Sequence, residues 1–152
     1  LTNMSLAIKF IFSKVTLLKI NLKRKRIMIN QTKTDENLKL IRQVIESYAK
    51  GADHRDIGKL DKAFHDDFRV VAITNDGVRN LDKKTYIELI RSEKIGGVER
   101  QLEIEWITAK NDTARAEIRL KSDAAIFNDD LSLIRDQHEW QIVNNVTQVV
   151  PA

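Results

Sequence analysis

"FNDDLSLIRDQHEWQIVNNV", residues 127–146, is the stretch that decides the fold. Apolar and polar residues alternate on both sides of a short polar break, the period of two that marks half-buried strands joined in a hairpin. With a two-residue loop at Asp136-Gln137, Leu133 falls opposite Trp140 and Leu131 opposite Ile142. The same count sets Asp129 opposite Asn144 on that apolar face. A carboxylate there either has an amide neighbour and little water, which raises its pKa, or lies at the rim of the sheet, solvated and inert.

Just upstream, "RQLEIEWITA" (100–109) and "TARAEIRLK" (113–121) read as two further strands. A three-residue loop at Asn111–Thr113 pairs Trp106 with Ile118 and Ile104 with Leu120, while Glu103, Glu105, Arg119 and Lys121 share the opposite face. Trp106 and Trp140 then lie on the inner face, either as core filling or as walls of a ligand cavity. The charged outer ladder, with Ile134 and Val143 also outward, is either a solvated surface or half of a symmetric interface.

Helices come before these strands. In "DENLKLIRQVIESYAKG" (35–51) Leu38, Ile41, Ile45 and Tyr48 recur at three and four, so an amphipathic helix is expected, capped by Thr34 or Asp35 and ended by Gly51. Tyr48 can offer its hydroxyl to a ligand or satisfy it within the core. A second helix fits "DHRDIGKLDKAFHDDF" (53–68), and "FRVVAIT" (68–74) runs as a strand into the hairpin signal "NDG". "LDKKTYIELIRSEK" (81–94) is a third helix with Asp82 as its cap. Helices first and a meander last is the order of an α+β fold.

Composition bounds the rest. The 152 residues, 42% hydrophobic, suit a single core, and with no cysteine there is neither a disulfide framework nor a thiolate metal site, which fits a cytoplasmic location. Residues 1–30 hold seven of the 26 Lys and Arg and no acid, leaving 19 basic against 22 acidic residues over 31–152, a balance of −3. Residues 1–34 are therefore expected to form a basic, disordered extension, or for 1–27 upstream sequence read in frame, ahead of a domain at 35–152. Lys9, Lys14 and Lys19 interrupt the apolar run that a secretory signal or a membrane span would need. "KRKR" (23–26) could meet nucleic acid or an anionic surface, and nucleic acid is the weaker expectation for the chain as a whole.

"KAFHDDFRVV" (62–71) places His65 before two aspartates. Three consecutive helical residues point about 100° apart and cannot converge on one metal ion, and no HxxxH or HExxH spacing exists, so no metal site is expected. His65 alone, at the end of the second helix, is either a proton-transfer group facing the cavity or a helix-terminal histidine favoured by the dipole. No phosphate-cradling glycine loop occurs, and no cofactor is expected.

The combination resembles the nuclear-transport-factor-two-like superfamily, and within it the bacterial group known as "Putative lumazine-binding", with SnoaL-like relatives. The likeness rests on "FHDDF" (64–68), on Phe127, Asp129 and Leu131-Ser132-Leu133, and on Trp140 with Ile142-Val143-Asn144. It covers about residues 35–150. Glycine is expected near 137 or 138 in that group, and Gln137-His138 stand there instead. The resemblance implies a cone-shaped barrel of a curved, mainly antiparallel sheet wrapped around three N-terminal helices, usually in a homodimer. It also implies either a pocket that binds a small apolar or aromatic molecule or an isomerase, dehydratase or cyclase. The residue reading puts Tyr48, Trp106, Trp140 and Asn144 at the ligand and makes Asp129 or His65 the general base.

Overall fold

The computed structural model describes residues 2–152, with side chains from Leu6 onward; Leu1, the first residue of the basic head, lies outside the described residues. Two compact units divide the chain, Leu1–Glu36 and Asn37–Ala152. The described residues of the first are all helix: α1 runs Thr2–Asp53 without a break. α1 takes in the basic head from Thr2, and the helix start expected at Thr34 or Asp35 is absent. No glycine or proline occurs before Gly51, so nothing in the sequence interrupts the helix. Thr34 acts as a helix-interior residue, its hydroxyl donating back to the Asn30 carbonyl at 2.9 Å rather than capping.

Within the second unit, α1 buries Ile41, Ile45, Tyr48, Ala49 and Ala52 along one stripe. Gly51 lies inside the helix instead of ending it. A Cβ there would stand 2.9 Å from the Leu60 side chain, so glycine is what lets the second helix pack this closely. That helix, α2 (Ile57–Ala63), is much shorter than expected; Asp56 caps it by accepting from the Lys59 N–H. "FHDDF" consequently opens β1 (Phe64–Thr74) rather than closing a helix. β2 (Gly77–Asp82) follows the expected turn, and α3 (Lys83–Arg91) starts on the expected cap, Asp82, which accepts from the Thr85 N–H at 2.8 Å.

The remaining strands are β3 (Gln101–Lys110), β4 (Thr113–Lys121), β5 (Ala125–Asp136) and β6 (Glu139–Pro151). All six form one open sheet in the order β2-β1-β6-β5-β4-β3, antiparallel throughout except for the parallel pair β1–β6. The α+β architecture is therefore as expected. Its core joins the α1 stripe to Phe64, Phe68, Ile118, Leu120, Leu131, Leu133 and Ile142. Each such side chain contributes about 1.5–3 kcal/mol on full burial.

The registers differ from the simple alternation. The β3–β4 loop has two residues, Lys110 pairing with Thr113, and the register then slips so that Ile104 faces Ile118 while Trp106 faces Glu117. Glu105 is the extra residue of a β-bulge. In the last hairpin the loop is Gln137-His138, with Asp136 opposite Glu139 and Leu133 opposite Ile142; beyond it Ser132 faces Asn144 and Asp129 faces Thr147. Val143 is the extra residue of this second bulge. Gln137 and His138 both hold positive φ, 46° and 73°, the left-handed backbone of a type I′ turn that glycine would adopt without strain.

Candidate functional site

The second bulge determines the site. Past Val143 the inward phase of β6 passes from even to odd residues, so Asn145 and Thr147 turn into the interior and Asn144 turns out, paired with the outward Ser132. Asn144 is therefore not the neighbour of Asp129, and Asn145 takes that place. Asp129 is 3% exposed, on the inward face of β5 between Phe127 and Leu131. From across the core Tyr48 donates its hydroxyl proton to Asp129 Oδ2 at 2.9 Å. The Asn145 amide donates both to Asp129 Oδ2 at 3.1 Å and to the Tyr48 oxygen at 3.3 Å.

Four buried side-chain atoms lack partners among the described residues: Asp129 Oδ1, Asn145 Oδ1, Thr147 Oγ1 and Arg100 Nη2. Buried polar atoms are nearly always paired, so several in one molecule require a reason. Thr147 stands directly opposite Asp129, near enough to favour the carboxylate, yet neither its Oγ1 nor Asp129 Oδ1 completes a hydrogen bond of normal geometry. Arg100 reaches the cluster electrostatically. Its Nε donates to Asp53 Oδ1 at 2.6 Å, its backbone N–H to Asp53 Oδ2 at 3.0 Å, and its guanidinium lies 5.0 Å from the Phe127 ring centre.

Burial pushes the Asp129 carboxyl above the ordinary carboxylate range, against the opposing pull of Thr147, Tyr48, Asn145 and the Arg100 charge. Burial first, and the Asp129 charge second, raise the Tyr48 phenol well above its usual value. Tyr86, from α3, is pushed up to about 12, also mainly by burial. The site is a carboxyl with a raised proton affinity, held on one oxygen by two donors and open on the other.

The other expected residues lie elsewhere. His65 accepts the Asp67 N–H on Nδ1 at 3.1 Å, which leaves Nε2 to donate to Asp136 Oδ2 at 3.3 Å. Asp136 is seven residues along β5 from Asp129, roughly 23 Å at 3.3 Å per residue, so the two candidate bases do not converge. Asp66 pairs with Lys83 at 3.1 Å, and the same ammonium bonds the Phe64 carbonyl and the Asp61 carboxylate, tying α2, β1 and α3 together. The three residues of the "HDD" triplet thus serve different partners.

Trp140 is buried, but beside Arg135 and Asn37 at the hairpin end of the sheet. There it adjoins a concavity of about 390 Å³ with Leu40, Val44, Lys62 and His138. Trp106 is not on the inner face: its partner Glu117 faces outward between buried Ala116 and Ile118, and Trp106 is 37% exposed. A second concavity, about 490 Å³, opens on the outer face among Glu103, Arg119, Lys121 and Asn128. Neither is lined by Asp129. Sequence alternation missed Asn145 and Thr147 because the bulge reverses it. For Arg100 and Asp53 no local pattern signals a buried pair.

A family model described as "Putative lumazine-binding" matches residues 36–147, the span that carries the core, the bulged hairpin and Asp129. The chain belongs to that family. No curated protein matches the sequence. Among solved structures, a nuclear-transport-factor-two-like protein of unknown function from Silicibacter pomeroyi is similar at 16% identity and TM-score 0.70, covering 77% of this chain and 98% of that one. One from Shewanella baltica is 18% identical with TM-score 0.68, covering 77% and 96%. A ketosteroid isomerase-like protein from Erwinia carotovora atroseptica is 17% identical with TM-score 0.62, covering 77% and 98%. At these identities the likeness establishes the nuclear-transport-factor-two-like fold for this member of the lumazine-binding family. Among the described residues no helix is long and apolar enough to cross a membrane.

Proposed function

We propose that this chain is a small-molecule-binding protein whose ligand is taken inside the fold, against Tyr48, Asp129 and Asn145. The observation that carries the reading is the open Asp129 Oδ1, buried beside two further unpartnered oxygens. An interior used only for packing would gain by replacing such groups with apolar ones. Membership of the lumazine-binding family supports a ligand-binding fold and leaves the ligand's identity open. Native mass spectrometry of the purified chain tests the reading: a co-purifying small molecule, lost from Asp129→Leu, is the expected result. Equal ligand occupancy in wild type and variant would remove Asp129 from the site.

A second reading is favoured by the raised proton affinity of Asp129. A carboxylate of that kind can take a proton from carbon next to a carbonyl, the step of an isomerase, dehydratase or cyclase. His65 is not carried forward as the base, since both ring nitrogens are engaged near the surface. The test is exchange of solvent deuterium into an enolisable ketone such as a cyclohexenone. Exchange lost in Asp129→Asn supports the reading, and its absence from wild type counts against it.

We propose as well that the outer sheet face pairs two copies of the chain. It carries the exposed Trp106 and the ladder in which Arg119 pairs with Glu105 at 2.9 Å. Aromatic residues and arginine are enriched where proteins dock. Sedimentation equilibrium of Arg119→Glu against wild type reads the pairing directly.

A further inference from the structure

The polar atoms around Asp129 are unevenly matched, and the imbalance selects a ligand chemistry. The Tyr48 hydroxyl is fully used, donating to Asp129 Oδ2 and accepting from Asn145. The Asn145 amide is fixed in orientation, because turning it over would set Oδ1 against Asp129 Oδ2 and the Tyr48 oxygen, whose one proton is already committed. What remains open on this patch is Asp129 Oδ1, Asn145 Oδ1 and Thr147 Oγ1. Two of these are acceptors, and the third is a hydroxyl that can also accept.

Their spacing suits one molecule. Asp129 and Thr147 are direct cross-strand partners, and Asn145 lies two residues along β6 on the same face, distances of about 5–8 Å between side-chain bases. Phe127 flanks Asp129 on its strand, so aromatic surface borders the patch.

Charge narrows the choice. The Arg100 guanidinium is already charge-matched by Asp53 through Nε at 2.6 Å, and its buried Nη2 has no partner among the described residues. An anionic ligand would therefore meet acceptor oxygens and the Asp129 carboxyl with no unmatched cation to hold it. A purely apolar ligand would leave the three oxygens unpaired, each at a cost. A group carrying two N–H donors satisfies Asp129 Oδ1 and Asn145 Oδ1 together.

We infer that the Asp129–Asn145–Thr147 patch binds the N–H-donating edge of a flat ligand, of amidine or aminoheterocycle type, and discriminates against carboxylates. This rests on the small-molecule reading above. The test uses the full chain at pH 7.5 with benzamidine, benzoate and toluene, three probes sharing one ring, titrated by calorimetry. Benzamidine is expected to bind at least ten-fold more tightly than benzoate, and Asp129→Asn to lose at least ten-fold of that affinity. Thr147→Val, which conserves shape, gives a milder loss and serves if the first variant does not fold. Preference for benzoate, binding of toluene alone, or benzamidine affinity unmoved in both variants overturns the donor assignment while leaving a small-molecule pocket in place. Binding of none of the three overturns both.

Discussion

The bulge at Glu105 in β3 and the bulge at Val143 in β6 are the same device with opposite results. Each inserts one residue and reverses which side chains face inward beyond it. In β3 the reversal carries Trp106 out and brings Ile107 and Ala109 in, a change that keeps the interior apolar. In β6 it carries Val146 out to 40% exposure and brings Asn145 in to 1%. Simple alternation would turn Asn144, Val146 and Gln148 inward, so the bulge keeps one asparagine and one valine inside and exchanges a glutamine for a threonine beside the aspartate. The first bulge sorts apolar side chains from an exposed tryptophan, whereas the second selects which polar side chains meet Asp129.

The largest test of that contrast is removal of the group the second bulge serves. Asp129→Ala strands the Tyr48 hydroxyl and the Asn145 amide in the core, and a loss of about 2–3 kcal/mol in urea unfolding is expected. A change below about 0.5 kcal/mol would show that the three residues do not act as a network, and the β6 bulge would then be no different in kind from the β3 bulge.

Next in size is the pH dependence. Because the folded chain holds the Asp129 proton more tightly than the unfolded chain, stability contributed by this group is present at low pH and lost as pH rises from the ordinary carboxylate value, 3.8, toward the raised one. The slope is about 1.4 kcal/mol for each pH unit crossed in that window. Denaturant unfolding of Asp129→Asn from pH 3.5 upward should lack this falling component. Identical profiles for variant and wild type would place Asp129 in a solvated position.

Much of this fold can be read from the alternation and the caps, because both are local. Asp82 caps α3 and NDG turns β1 into β2, as residue type alone requires. Asp129 was legible as inward because it lies before the reversal in register matters on its own strand. Asn145 was not, since a bulge is a choice between two backbone paths whose energies differ through long-range packing, and "VNN" supports either. Arg100 was hidden for a related reason: its burial depends on Asp53, 47 positions away. The continuous α1 escaped because an N-cap signal at Thr34-Asp35 is only an option, taken when something stops the helix before it.

The turns of the two bulged hairpins differ too, and a smaller effect follows. The β3–β4 turn puts Asn111, a residue that tolerates left-handed backbone, at φ 56°, while the β5–β6 turn puts Gln137 and His138 there. His138→Gly is expected to raise stability by about 1 kcal/mol in thermal or urea unfolding. No gain, or a loss, would mean that the imidazole makes up the strain through the groove it borders with Trp140.

The smallest expected effect on the fold is also the sharpest check on the first bulge. Trp106 contributes to the core only if β3 keeps its simple alternation; on the observed register it lies outward opposite Glu117. Trp106→Ala should then change unfolding free energy by no more than about 0.5 kcal/mol at concentrations where the chain is a monomer, against the 3–5 kcal/mol that truncating a buried tryptophan costs. The same substitution should weaken self-association at least ten-fold in sedimentation equilibrium if the outer face pairs two copies. A loss of several kcal/mol from the monomer would put the tryptophan back inside, and the residue inserted in β3 would then build no surface for a second copy to meet.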